Sequence, residues 1–241
     1  MKEKAKTTCS FVSVYPVFCL KSDKIRSRRK GTKDVQPVYI DETILEKLKA
    51  FATEMDSEAK NVCLGRDVRP TERALILKWN GKGICLSGIK WGYPGIQKSG
   101  VLINARVESV LEKKIFANGI RYHRAVIPAR HFYEWNGRKE KNTLKAGMEK
   151  SFTWHGFLDI IENEEHFVIL TTEANASTKP VHDRMPLILS RGEARQWLSD
   201  GSKAELLLAV TPPPLAVRSA EQQLSLWSML ALVVRSRFAA W

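Results

Sequence analysis

Two apolar runs, residues 74–79 and 84–91, flank Asn80-Gly81-Lys82-Gly83, and this pattern limits what the chain can fold into. The two glycines are free to take positive φ, as a tight turn between antiparallel strands requires. Further strand-like runs follow at 122–128, 152–159 and 166–172. Helical periodicity is confined to two places. Ile44, Leu45, Leu48, Phe51 and Ala52 fall on one face of a helix predicted from Asp41, its cap, to about Met55. Residues 193–198 form the second, and Thr211-Pro212-Pro213-Pro214 reads as a stiff turn. Many short strands, few helices and no βαβ rhythm predict an α+β domain on a curved, barrel-like antiparallel sheet with flanking helices.

Charge narrows the partners. The chain carries a formal +13, which points to a polyanion, nucleic acid first and an anionic membrane second. Residues 1–37 hold ten Lys and Arg against Glu3, Asp23 and Asp34, so more than half of the excess sits in a short leader. Its run KIRSRRKGTK has few apolar anchors and reads as a flexible basic arm outside the packed domain.

Cys9, Cys19, Cys63 and Cys85 show no metal spacing, so no metal site or cofactor is expected. A Cys-poor chain of this size argues against a disulfide framework and for a reducing compartment. The apolar stretch 9–20 imitates a secretion signal, but Ser10, Ser13 and Pro16 interrupt it and no small-residue cleavage site follows. No run approaches the roughly 20 apolar residues of a membrane helix. Residues 228–241 leave two readings open: a terminal helix packed on the domain, or read-through sequence with no evolved role.

Polar residues inside strand-like surroundings mark the candidate chemistry. Glu134 lies among Phe132, Tyr133 and Trp135, which would desolvate its carboxylate, raise its pKa and make it a proton shuttle. The same position suits a half-buried Glu paired with an Arg. His182, beside Asp183 and Arg184, is either a proton exchanger near neutral pH or a loop cap. Asn104 and Arg106 alternate on a strand and face one side, as a phosphate clamp with an amide anchor or as a plain surface pair. Trp91, next to Gly92 and Pro94, either stacks a nucleobase or fills the core.

Taken in order, Asp67-Val68-Arg69-Pro70, Trp91-Gly92-Tyr93-Pro94, Asn104-Ala105-Arg106-Val107-Glu108, Phe132-Tyr133-Glu134-Trp135, Thr171-Thr172-Glu173-Ala174-Asn175 and His182-Asp183-Arg184-Met185-Pro186 resemble the SOS response-associated peptidase family, the abasic-site-processing proteins. Thr211-Pro212-Pro213 and Gln222-Gln223-Leu224-Ser225-Leu226-Trp227 resemble its closing pattern, giving one domain over 38–227. The resemblance implies a cytoplasmic, nucleoid-associated monomer that binds abasic sites in single-stranded DNA. It implies covalent attachment through an N-terminal cysteine. The α-amine attacks the ring-opened sugar aldehyde, water leaves as the Schiff base forms, and the thiol closes a thiazolidine. The peptidase name comes from self-cleavage that frees the cysteine. By motif, Asn104, Glu134 and His182 are the catalytic positions, Arg106 and Arg184 hold phosphates, and Trp91 and Pro70 wedge the flanking bases.

One block departs from the family. Members open with Met-Cys-Gly-Arg, whereas counting back from Tyr39 puts Val35, Gln36 and Pro37 where Cys, Gly and Arg belong, with Asp34 at the initiator position. Cys9 and Cys19 lie too far upstream. Cys63, before Leu64-Gly65-Arg66, is a partial echo in the wrong place. His131 replaces the usual Gly, and Ala125 stands where the family often has Cys. Two function classes follow: an abasic-site enzyme that has lost its nucleophile, or a non-covalent single-stranded DNA-binding relative. A basic RNA-binding module has only the charge in its favour.

Overall fold

A computed structural model describes residues 38–97, 100–146 and 152–219. The leader, positions 35–37, Cys9, Cys19, residues 222–227 and the tail lie outside the described residues. In chain order the elements begin with β1 (Val38–Ile40), α1 (Glu42–Lys49), β2 (Glu54–Met55), α2 (Ser57–Lys60), β3 (Arg66–Val68), β4 (Arg73–Trp79) and β5 (Ile84–Trp91). They continue with β6 (Tyr93–Gln97), β7 (Gly100–Leu102), β8 (Asn104–Arg106), α3 (Lys114–Tyr122), β9 (Arg124–Ala129), β10 (His131–Trp135) and β11 (Lys141–Ala146). The last are β12 (Phe152–Ile161), β13 (Glu164–Glu173), β14 (Arg184–Pro186), β15 (Ile188–Leu189), α4 (Arg191–Ser199), α5 (Ala204–Leu208) and β16 (Leu215–Ser219).

The α+β expectation holds, with two sheets sharing one hairpin. Five strands order as β16-β11-β10-β1-β3, and a nine-stranded sheet runs β14-β13-β12-β9-β4-β5-β2, with β15 on β12 and β8 on β13. An added pairing of β13 with β5 closes β13-β12-β9-β4-β5 into a barrel-like ring. Only Arg130 separates β9 from β10, so that arm passes straight from the larger sheet into the smaller. Its partner arm, β11 and β12, pairs with it in both sheets. Inside, Trp154 meets Phe132 edge-on at 5.2 Å, and the Trp197 indole donates to the carbonyls of Ala125 and Gly156 at 3.1 Å each. Not all pairing is antiparallel: β13 takes both β5 and β8 in parallel, and β2 joins β5 the same way.

Local chemistry explains most boundaries. Asp41 caps α1 through Ile44 N, but the helix stops at Lys49. Thr53 N then bonds Ile84 O, and Glu54–Met55 becomes a short strand rather than the predicted last helical turn. The hairpin stands as read, with Trp79 opposite Ile84. Only Gly81 takes positive φ there (92°); Gly83 is required because a Cβ would strike the Thr53 side chain. Helix α3 replaces the expected start of a strand at Tyr122. Its interior Asn118-Gly119 reads as a turn, yet a Cβ at Gly119 would collide with the Phe157 ring. No helix among the described residues is long and apolar enough to cross a membrane.

Candidate functional site

Strand alternation on β10 sends Phe132 and Glu134 inward and leaves His131, Tyr133 and Trp135 half-buried on the other face. Glu134 is only 1% exposed. Of the aromatics beside it in sequence, Tyr133 and Trp135 face the other way and only Phe132 shares its inward side. Asn142 is paired with Glu134 across the ladder and is also buried, and Ser219 of β16 pairs with Asn142. Cross-strand Cβ atoms lie about 5 Å apart, so Glu134, Asn142 and Ser219 form one polar row on an otherwise apolar inner face. Asn142 escapes a sequence reading because it sits in the polar run Lys141-Asn142-Thr143. Its only signal is the register with Glu134.

The second group gathers at the far end of β13. There Ile169 pairs with Asn104 and Thr171 with Arg106, while Glu173 pairs with Arg184. Ala105 is buried between half-buried Asn104 and exposed Arg106, so these two share a side as predicted. Arg106 has no ion pair among the described residues. Arg184 is different. Its guanidinium makes two parallel bonds to Glu108, at 2.7 and 2.9 Å, and a third to the Thr171 carbonyl at 2.6 Å. That arginine is engaged within the protein, and Arg184 holds Glu108 below the usual carboxylate range by donating these bonds.

His182 sits in a turn built by Asn175. The Asn175 side chain accepts from Ser177 N and Oγ and donates to the carbonyls of Pro212 and Pro213, while Ser177 Oγ accepts from Leu215 N. The loop carrying His182 is thus tied to the first residue of β16, the strand that ends at Ser219 in the polar row. His182 Nδ1 faces the Arg184 amide at 3.0 Å and the Arg184 carbonyl at 3.2 Å. A neutral ring accepts from the amide and carries its proton on Nε2; a protonated ring donates to the carbonyl. Either way the ring is held by the backbone of its own turn.

Trp91 is a correction. It is 1% exposed, stacks on Phe167 at 5.9 Å and donates through Nε1 to Ile103 O at 3.2 Å. No face of that ring is open to a base, and the burial comes from the β13–β5 closure, which pairs Phe167 with Trp91. Its backbone still serves the neighbouring turn. Thr71 N bonds Trp91 O and Trp91 N bonds Glu72 O, which fastens half-buried Pro70 and positive-φ Thr71 in place. Among the described cysteines, Cys63 precedes β3, separated from β10 by β1, and buried Cys85 has its thiol pushed up to about 11 by burial. Among the described residues no group of three His, Cys, Asp or Glu side chains could hold a metal ion.

Fold and site together define a barrel-like α+β domain with an inward polar row and a basic outer rim. A model of the family "SOS response associated peptidase (SRAP)" matches residues 36–228, and the chain belongs to that family. It is 31% identical over 147 residues to the abasic site processing protein YoaM of Bacillus subtilis, covering 55% of this chain and 65% of that protein. It is 30% identical over 144 residues to the abasic site processing protein YedK of Escherichia coli, covering 56% and 65%. The chain therefore spans about two thirds of the length of these curated relatives. A crystal structure from Bacteroides thetaiotaomicron shares the fold with a TM-score of 0.63 at 19% identity, over 76% of this chain and 90% of that one. One from Bordetella bronchiseptica reaches 0.64 at 17%, over 78% and 99%.

Proposed function

We propose that this protein recognises abasic sites in single-stranded DNA, with Arg106 attracting the phosphate backbone and the sugar directed toward Glu134. The observation that carries the reading is the buried pair Glu134–Asn142, continued along the inner face by half-buried Ser219. An acid withdrawn from water beside an amide is costly to keep and has no evident packing value. Val38 stands opposite Phe132, so β1 lies beside the strand that carries Glu134, and the family resemblance implies cysteine chemistry at position 35, three positions before Val38. In this chain position 35 is Val, so recognition proceeds without the thiazolidine. Asn104 anchors the sugar, His182 exchanges protons, Pro70 wedges a flanking base, and Arg184 sets the rim through Glu108.

The test is incubation with a single-stranded oligonucleotide bearing one abasic site, read by intact mass and a heated denaturing gel. The chain as it stands should bind reversibly and leave no heat-stable adduct. A variant that starts with Met at position 34 and carries Val35→Cys, Gln36→Gly and Pro37→Arg should form one, more slowly when Glu134→Ala is added. A heat-stable adduct on Cys9, Cys19 or Cys63 of the unaltered chain would overturn the assignment. No adduct from the repaired variant would mean the pocket no longer supports the chemistry.

A further inference from the structure

The outer face of the five-stranded sheet holds residues that the proposed site does not use. Tyr39, His131, Tyr133 and Trp135 point away from Glu134, and each is half-buried. The ladders place Lys145 opposite His131, Lys141 opposite Trp135, and Arg218 opposite Thr143 beside Tyr133. The rings are ordered. Tyr39 stacks on His131 at 4.8 Å and 14°, His131 Nε2 lies 3.0 Å from the Tyr133 hydroxyl, and Lys141 Nζ sits 3.4 Å from the Tyr133 ring centre. Arg130 and Arg66 nearby are paired with Asp41 and Glu72, but Lys141, Lys145 and Arg218 have no carboxylate partner among the described residues.

Such a face differs from an ordinary solvated strand surface, where both charge signs alternate with small polar side chains. Burial, with Lys145, Arg130 and Lys141 close by, drives His131 down to about 4, which Asp67 only partly opposes. The ring is therefore neutral at cellular pH and lies in a positive field. Neutral aromatic faces interleaved with unpaired cations are what a sequence-tolerant single-strand surface needs, because every base offers a π-face and every nucleotide a phosphate.

We propose that this outer face binds undamaged single-stranded DNA, its bases stacking on Tyr39, His131, Tyr133 and Trp135 and its phosphates lying along Lys141, Lys145 and Arg218. The choice of DNA over RNA rests on the proposed function. The surface would hold the strand flanking a lesion while the inward row handles the lesion itself.

The test uses the full chain and a labelled oligothymidylate of about twenty nucleotides without any abasic site, long enough for a site of this size. Binding is followed by fluorescence anisotropy across a salt series. Lys141→Ala with Lys145→Ala should weaken binding about tenfold and reduce the log–log salt slope by about 1.4, since each phosphate contact on a single strand contributes about 0.7. Lys141 is exposed and Lys145 half-buried, and circular dichroism checks the fold. Photocrosslinking with 5-iodouracil in the oligonucleotide should label peptides containing Tyr39 or residues 131–135. Unchanged affinity and slope, or crosslinks confined to β6–β8, would overturn the proposal. So would tighter binding of an equivalent RNA that the same substitutions weaken. If Arg106→Ala impairs abasic DNA while the Lys141 and Lys145 substitutions change nothing, this inference fails and the proposed function stands. The reverse result retires Arg106 and keeps the sheet face.

Discussion

The two halves of the candidate site treat charge in opposite ways. On the five-stranded sheet, Glu134 and Asn142 are out of water and fixed by strand register. At the end of β13, Arg106 is in water, and the half-exposed Glu108 is tied to Arg184, whose side chain is 21% exposed. A buried group keeps its geometry whatever the salt concentration, whereas an exposed cation attracts from a distance and is screened. The first half suits chemistry at one atom, and the second suits capture of a polyanion. Acid and packing defects should therefore damage the first, salt and charge changes the second.

The largest effect should come from packing. Trp91→Ala should cost about 3–5 kcal/mol of stability, the range for emptying a large buried aromatic site, while Trp91→Phe should keep single-stranded DNA binding close to the parent. Denaturant unfolding and anisotropy on both variants decide this. If Trp91→Phe folds normally yet loses binding, the ring does more than fill the core.

Acid is the next lever. His155 is fully buried, and burial drives its ring down to about 3, so the folded protein keeps it neutral while the unfolded chain protonates it near 6.5. The unfolded state binds the extra proton, so stability falls as pH drops below about 6.5 and continues to fall toward about 3. Between pH 6.5 and 5 this amounts to about 2 kcal/mol, and His131 adds in the same direction. Chemical denaturation at stepped pH should show that loss, and His155→Phe should flatten it. A parent curve level across this window would mean that water reaches the ring.

The exposed half should respond to salt. Arg106→Ala should lower affinity for single-stranded DNA about tenfold at low salt, cut the salt slope by about 0.7 and leave thermal unfolding unchanged. The smallest effect expected is a gain. Glu108→Gln removes a carboxylate that holds the Arg184 guanidinium and repels phosphate, so binding should tighten roughly two- to fourfold at low salt and lose that gain at high salt. If binding weakens instead, the Arg184–Glu108 pair is needed for the shape of the rim.

Features fixed by local chemistry were legible in the sequence: Asp41 as a cap, the hairpin at Asn80-Gly81, and the shared side of Asn104 and Arg106. Features fixed by distant partners were not. Glu108 and Arg184 are 76 positions apart, and nothing in either motif shows that they join. Asn142 becomes meaningful only through register. Trp91 looks like a turn aromatic until β13 arrives to cover it. Helix α3 contains Asn118-Gly119, a turn-like pair, and glycine is kept there because a Cβ would meet both the Phe157 ring and the Leu158 carbonyl. The motif order still identified the family, since six short blocks in sequence constrain a chain more tightly than any one of them.

Strand β13 pairs with β5 at residues 166–167 and with β8 at 169–171, taking two successive strands along one edge. Both are made long before their partner. At synthesis rates of about 5–20 residues per second, the segment carrying Asn104 and Arg106 leaves the ribosome several seconds ahead of β13. Throughout that interval it is an unpaired, cation-bearing edge, open to mispairing and free to meet nucleic acid before its barrel exists. Nascent chains of this fold thus pass through a stage at which the rim's charge is present and its geometry is not.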